Sequence, residues 1–158
     1  MPESGLFTQT VIAVIWDFDK TLSPEYMQAP IFRAYGIDED DFWNEVNALP
    51  AFYERAGVTV QPESCYLGHL LSCVQHGVMP DLTNARLRAL GADLTFYPGL
   101  PECFAQLQAM LAAPAYRVGD QHVTLEHYVV STGLRALIEG SALRPYLAQF
   151  LSDKRVVD

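Results

Sequence analysis

The sequence predicts an α/β fold: an incomplete parallel sheet with an all-helical module inserted directly after its first strand. Three observations predict it. An apolar run, Val11–Trp16, breaks abruptly into Asp17-Phe18-Asp19-Lys20-Thr21. That is the pattern of a buried parallel strand delivering polar side chains beyond its carboxyl end, where open α/β sheets place ligand sites. About seventy residues of helical periodicity follow. A second strand-like segment, Glu126–Val130, then ends at Ser131-Thr132-Gly133.

Taken in order, Ser23-Pro24-Glu25 after the first strand reads as a helix start, with Ser as cap and Pro at the first position. Helices are expected over Glu25–Tyr35, Asp38–Leu49, Ala51–Ala56, Pro62–His76 and Asp81–Leu90. Gly36, Gly57, Gly77 and Gly91 each follow one of them, where a left-handed terminus is expected. Asp81 reads as an N-cap acid, with Arg86 and Arg88 nearer the C-terminus to suit the helix dipole. Tyr97-Pro98-Gly99 is a turn, and Leu100–Ala113 an amphipathic helix with Leu100, Phe104, Leu107 and Leu111 along one stripe. Tyr116–His122 reads as an irregular connection. The second strand follows, starting as early as Val123, and then two helices, Leu134–Glu139 and Arg144–Leu151. Ser152–Asp158 reads as a tail. The domain division is therefore residues 1–23 and 96–158 as a partial α/β core, with 24–95 as a helical insertion.

Composition excludes several classes of function. Half of the 158 residues are hydrophobic and 18% are charged, so a packed core is expected. Ten basic against 19 acidic side chains give a net charge of −9, a field that repels nucleic acid and anionic membranes. The first ten residues lack the basic start of a signal peptide, and the longest apolar run falls short of the roughly 20 residues of a membrane span. Cys65, Cys73 and Cys103 are expected as reduced thiols and the compartment as cytoplasmic.

The string WDFDKTLS resembles the first motif of the haloacid dehalogenase-type (HAD) phosphatases, a hydrophobic strand followed by DxDx(T/V). Val129-Val-Ser-Thr-Gly133 resembles their second motif, and the stretch EHYVVSTGLRALIEGS is similar to phosphoserine-phosphatase-like members with large helical caps. The resemblance implies a Rossmann-like core, with the 24–95 insertion as a cap over the active site. It implies Asp17 as nucleophile and Asp19 as general acid/base, with Thr21 tying the loop together and Ser131 contacting the transferring phosphoryl group. Thr132 and Gly133 then offer backbone N–H groups to the same anion. The chemistry is reasonable in itself: a carboxylate forms a covalent aspartyl-phosphate, and a second carboxyl protonates the leaving oxygen and deprotonates water. Asp17 and Asp19 also attract Mg2+, which takes a few carboxylates plus substrate oxygens. The expected partner is a small phosphorylated metabolite. A simpler reading makes Ser131 or Thr132 only the N-cap of the next helix.

The family also needs a downstream lysine and an acidic pair at the end of a further strand. The 27 residues after Ser131 contain neither in a matching context, and Lys154, Arg155 and Asp158 lie in the tail. The expectation is therefore a weak metal site and turnover lowered by orders of magnitude, since phosphoryl transfer depends on charge stabilisation. In the family the first strand is central. Here it is expected as an exposed apolar edge, available for a homo-oligomer. The alternative function is a non-catalytic fragment or remnant that binds a partner or requires a C-terminal half.

Other candidates carry less. Cys65, His69, Cys73 and His76 share one face of a helix. A straight helix cannot wrap four ligands around one ion, because these ends lie roughly 16 Å apart. His122 and His127 read as surface or edge residues, and Phe42, Trp43, Phe52 and Tyr53 mostly as the core of the helical module, with one or two of them lining the substrate entrance that the resemblance implies. Asp38–Asp41 reads as a solvated helix start.

Overall fold

The computed structural model describes residues 9–116 and 122–151. It is a mixed α/β chain whose described residues form one three-stranded parallel sheet and six α-helices. The elements are β1 (Gln9–Trp16), α1 (Ala29–Tyr35), α2 (Glu39–Arg55), α3 (Pro62–Gln75), α4 (Asn84–Leu90), α5 (Glu102–Leu111), β2 (His122–Val130), α6 (Arg135–Gly140) and β3 (Leu147–Leu151). Strand order is β1-β2-β3, all parallel, with Trp16 beside Val129 at the carboxyl ends of β1 and β2. Among the described residues β1 is thus an edge. Val11, Ile12 and Ile15 are 47%, 44% and 68% exposed. The Ser152–Asp158 tail, with Lys154, Arg155 and Asp158, the N-terminal residues 1–8 and most of the connection before β2 lie outside the described residues.

Several local expectations differ from the structure. Arg144–Leu151 is not a helix: a short 3-10 turn, Arg144–Tyr146, leads into β3, which pairs with β2. Leu147-Ala-Gln-Phe-Leu151 has no β-branched residue, so pairing rather than propensity makes it a strand. Ser23 caps no helix. Its hydroxyl donates to the carbonyl of Glu25 and accepts from the Glu25 N–H, a local turn that competes with helix formation. α1 starts at Ala29 instead. α2 runs unbroken through Pro50, with Asp38 capping it by accepting from the Asp41 N–H at 3.0 Å. The proline removes one N–H from the ladder, facing the Val46 carbonyl a turn earlier. Thr83, not Asp81, caps α4, and Asp81 accepts from the Tyr35 hydroxyl at 2.6 Å.

Gly36, Gly57 and Gly77 are left-handed as expected, but Gly91 is not. It is buried, and a Cβ there would overlap the Leu137 carbonyl and Gly140. A Cβ at Gly140 would overlap the Arg88 carbonyl. The two glycines let α4 and α6 touch backbone to backbone. The face of the sheet bearing Trp16, His127 and Val129 packs on α5 through Phe104, whose ring lies 5.5 Å from Trp16 and 4.5 Å from His127. His127 is 4% exposed, so it is a core residue and not an edge one. The side chain of His122 lies outside the described residues. Phe42 is buried and Trp43 half-buried, whereas Phe52 and Tyr53 are 58% and 37% exposed and do not belong to the helical core.

Candidate functional site

The chain leaves β1 at Trp16 and turns at once around a single carbonyl. Phe18, fully buried, accepts at its carbonyl oxygen from the N–H groups of Thr21, Leu22 and Ser23, at 3.2, 2.9 and 3.2 Å. The buried ring anchors a tight helical turn and swings the side chains on either side of it, Asp17 and Asp19, out of the sheet. Lys20 adopts a left-handed backbone conformation, φ 61°, which costs a non-glycine residue about 1 kcal/mol or more. Its ammonium donates to the Pro24 carbonyl at 3.0 Å and lies 4.7 Å over the Tyr26 ring.

Asp17 is exposed, and Thr21 Oγ1 donates to its Oδ2 at 2.8 Å. Thr21 therefore ties the loop to Asp17. Asp19 is half-buried, and its Oδ1 accepts from the Met27 N–H at 2.7 Å. Burial raises its pKa above the ordinary carboxyl range and the neighbouring Asp17 charge raises it further, against the opposing Met27 N–H and Lys20 ammonium. A carboxyl that holds its proton to higher pH suits an acid that must protonate a leaving group.

Ser131 follows β2 and is half-buried, with its Oγ accepting from the Gly133 N–H at 3.0 Å. The Leu134 N–H points at Met27 Sδ, 2.9 Å away. The Gly133 amide thus donates within its own loop. Leu134, without a side-chain cap, occupies the N-cap of the six-residue α6, so neither Ser131 nor Thr132 is a helix cap. Thr132 is exposed, and its carbonyl accepts from the Tyr66 hydroxyl of α3 at 2.7 Å. Burial and then the Asp19 charge push the Tyr66 pKa up to about 12, against a hydrogen bond from buried Gln28. Asp19, Met27, Tyr66 and the 131–134 loop therefore form one connected group. Sequence reading found the acids and Ser131 but missed Met27, Gln28 and Tyr66. They lie in helix-patterned stretches, where apolar and amphipathic residues read as packing.

Asp17 and Asp19 supply two carboxylates, each with one oxygen already accepting a hydrogen bond. No group of three or more His, Cys, Asp or Glu side chains converges among the described residues. The donor set fits a divalent cation only in part. His69 Nε2 on α3 pairs with Glu45 Oε2 of α2 at 2.8 Å, and His76 Nδ1, at the C-cap of α3, meets the Ser72 carbonyl at 2.8 Å, so both histidines are engaged within the helical module. Beside it lies a cavity of about 350 Å³ between α2 and α3, walled by Leu49, Tyr53, Val60, Cys65 and Gly68 among others.

No family model matches the chain. The chain is 33% identical, over 142 residues, to an uncharacterised protein of Borreliella burgdorferi. The match covers 89% of this chain and 48% of that protein, so the chain spans about half the length of the curated relative it matches. Among the described residues no helix is long and apolar enough to cross a membrane.

Proposed function

We propose that the chain is a HAD-type hydrolase module, similar to phosphoserine-phosphatase-like members, acting on a small phosphorylated metabolite. The supporting observation is the pair Asp17 and Asp19 at the carboxyl end of a parallel strand, with the first braced by Thr21 and the second carrying a raised pKa. In this reading an Asp17 carboxylate oxygen attacks phosphorus and the bond to the leaving oxygen breaks as Asp19 delivers its proton there. Water then attacks the aspartyl-phosphate, Asp19 takes the proton, and the Asp17–phosphorus linkage breaks to release inorganic phosphate. Ser131 donates its hydroxyl proton to a phosphoryl oxygen. Asp17 and Asp19 would hold Mg2+ jointly with substrate and water oxygens, and the cation would offset the charge of the phosphate.

Turnover by this chain alone is expected to be slow, since among the described residues no further acid joins the two aspartates and the Lys20 ammonium is turned to the Pro24 carbonyl and the Tyr26 ring. The test is hydrolysis of an aryl phosphate with and without Mg2+. Asp17→Asn should reduce it to background, and Asp19→Asn should lower it by about 10²–10⁴-fold. Activity unaffected by Asp17→Asn would overturn the reading. A second reading, a non-catalytic module that needs another segment or a second copy, is favoured by the bare β1 edge and by the half-length match.

A further inference from the structure

Met27 is fully buried and engaged at both ends. Its backbone N–H holds the Asp19 carboxylate at 2.7 Å, and its thioether sulfur receives the Leu134 N–H at 2.9 Å across a separation of 107 residues. At Gly133, next to Leu134, a Cβ would overlap Met27 Sδ and Cε, the end of that side chain, so Met27 would have to shift to admit it. Gly133 is also the residue whose N–H reaches Ser131 Oγ. One residue thus touches both loops, the acid-bearing one through its backbone N–H and the hydroxyl-bearing one through its side chain.

We propose that Met27 is a positioning residue, which fixes the Asp19 carboxylate relative to the Ser131–Leu134 loop and relays displacement of either loop to the other. The linkage is a matter of shape and hydrogen bonding. Its catalytic consequence rests on the hydrolase reading above. A close-packed interior transmits such displacements, because facing atoms have no void to move into. Misplacing a reacting group by about 1 Å costs on the order of 100-fold in rate. Methionine suits the role, being long enough to span the gap and carrying a weak acceptor for the Leu134 amide.

The test pairs an amide-resonance measurement with kinetics on the 158-residue chain. Gly133→Ala should shift the backbone amide resonance of Met27, although residue 27 is far away in sequence. In a Met27→Ala background, which opens the space, the same Gly133→Ala change should leave the residue-27 amide in place. Met27→Leu keeps the volume and removes the sulfur, which covers the case in which Gly133→Ala fails to fold. It should increase hydrogen exchange at Leu134 and lower kcat about 10-fold or more while KM changes little. An unmoved Met27 amide in Gly133→Ala, or an equal shift in the Met27→Ala background, would overturn the linkage, as would unchanged Leu134 exchange in Met27→Leu. Loop coupling without any phosphatase activity would sink the hydrolase reading and leave the linkage standing. Activity lost through Asp17→Asn but indifferent to Met27→Leu would do the reverse.

Discussion

His127 illustrates how one side chain ties stability to pH. Trp16 Nε1 donates to His127 Nδ1 at 3.1 Å, so the neutral ring carries its proton on Nε2, a buried atom with no partner among the described residues. Burial lowers the pKa of His127 below its ordinary 6.5. The folded state therefore binds this proton less readily than the unfolded one, and the contribution is fully present above about pH 6.5. It is lost as pH falls through the folded pKa, where a new Nδ1 proton opposes the Trp16 N–H. The thermal midpoint should drop as pH falls below about 6.5, and His127→Phe should flatten that dependence. Trp16→Phe, which strands the Nδ1 acceptor, should cost about 1–3 kcal/mol by denaturant titration near neutral pH. At this scale the sequence revealed the groups with chemistry of their own: Asp17, Asp19, Thr21 and Ser131. It concealed His127, whose neighbours on β2 alternate with no clear polar face, and Met27 and Tyr66, whose roles come from contacts across more than sixty residues.

At the scale of elements, the α4–α6 contact depends on two missing side chains. Gly140→Ala forces the new methyl onto the Arg88 carbonyl, and backbone on both sides leaves nothing flexible to yield. We expect a destabilisation of about 1–3 kcal/mol or more, read by urea unfolding. Ala142→Gly, two residues on and exposed, should cost well under half of that. Helices here were legible because their apolar period and their left-handed glycine stops agree. Boundaries were less so. Pro50 suggested a break that α2 does not make, since a proline removes one bond without forbidding the turns on either side. Ser23-Pro24 suggested a cap, but the Ser23 hydroxyl satisfies Glu25 instead. β3 was illegible because only Phe150 among its five residues favours a strand and no polar–apolar alternation marks it. Only β2, already laid down beside β1, offers them a ladder.

At the scale of the molecule, the side of β1 away from β2 carries no strand among the described residues. Val11, Ile12 and Ile15 point to both faces of the strand and all three are exposed, a two-sided apolar pattern suited to a strand with neighbours on both sides. The chain should therefore self-associate with increasing concentration. Ile15→Lys, which places a charge on the edge, should restore a monomer in sedimentation experiments. A wild-type chain that stays monomeric at millimolar concentration would contradict edge-driven assembly. The proline inside α2 has a different consequence. Leu49 and Tyr53, on either side of Pro50, both line the 350 Å³ cavity against α3. The wall of that chamber therefore contains a helical turn that lacks a rung. Its final stretch, with the exposed rings of Phe52 and Tyr53, can tilt about the gap without breaking a hydrogen bond at that rung. The amides of that stretch should therefore exchange faster than those of the first half of α2, and Pro50→Ala, which restores the rung, should slow them.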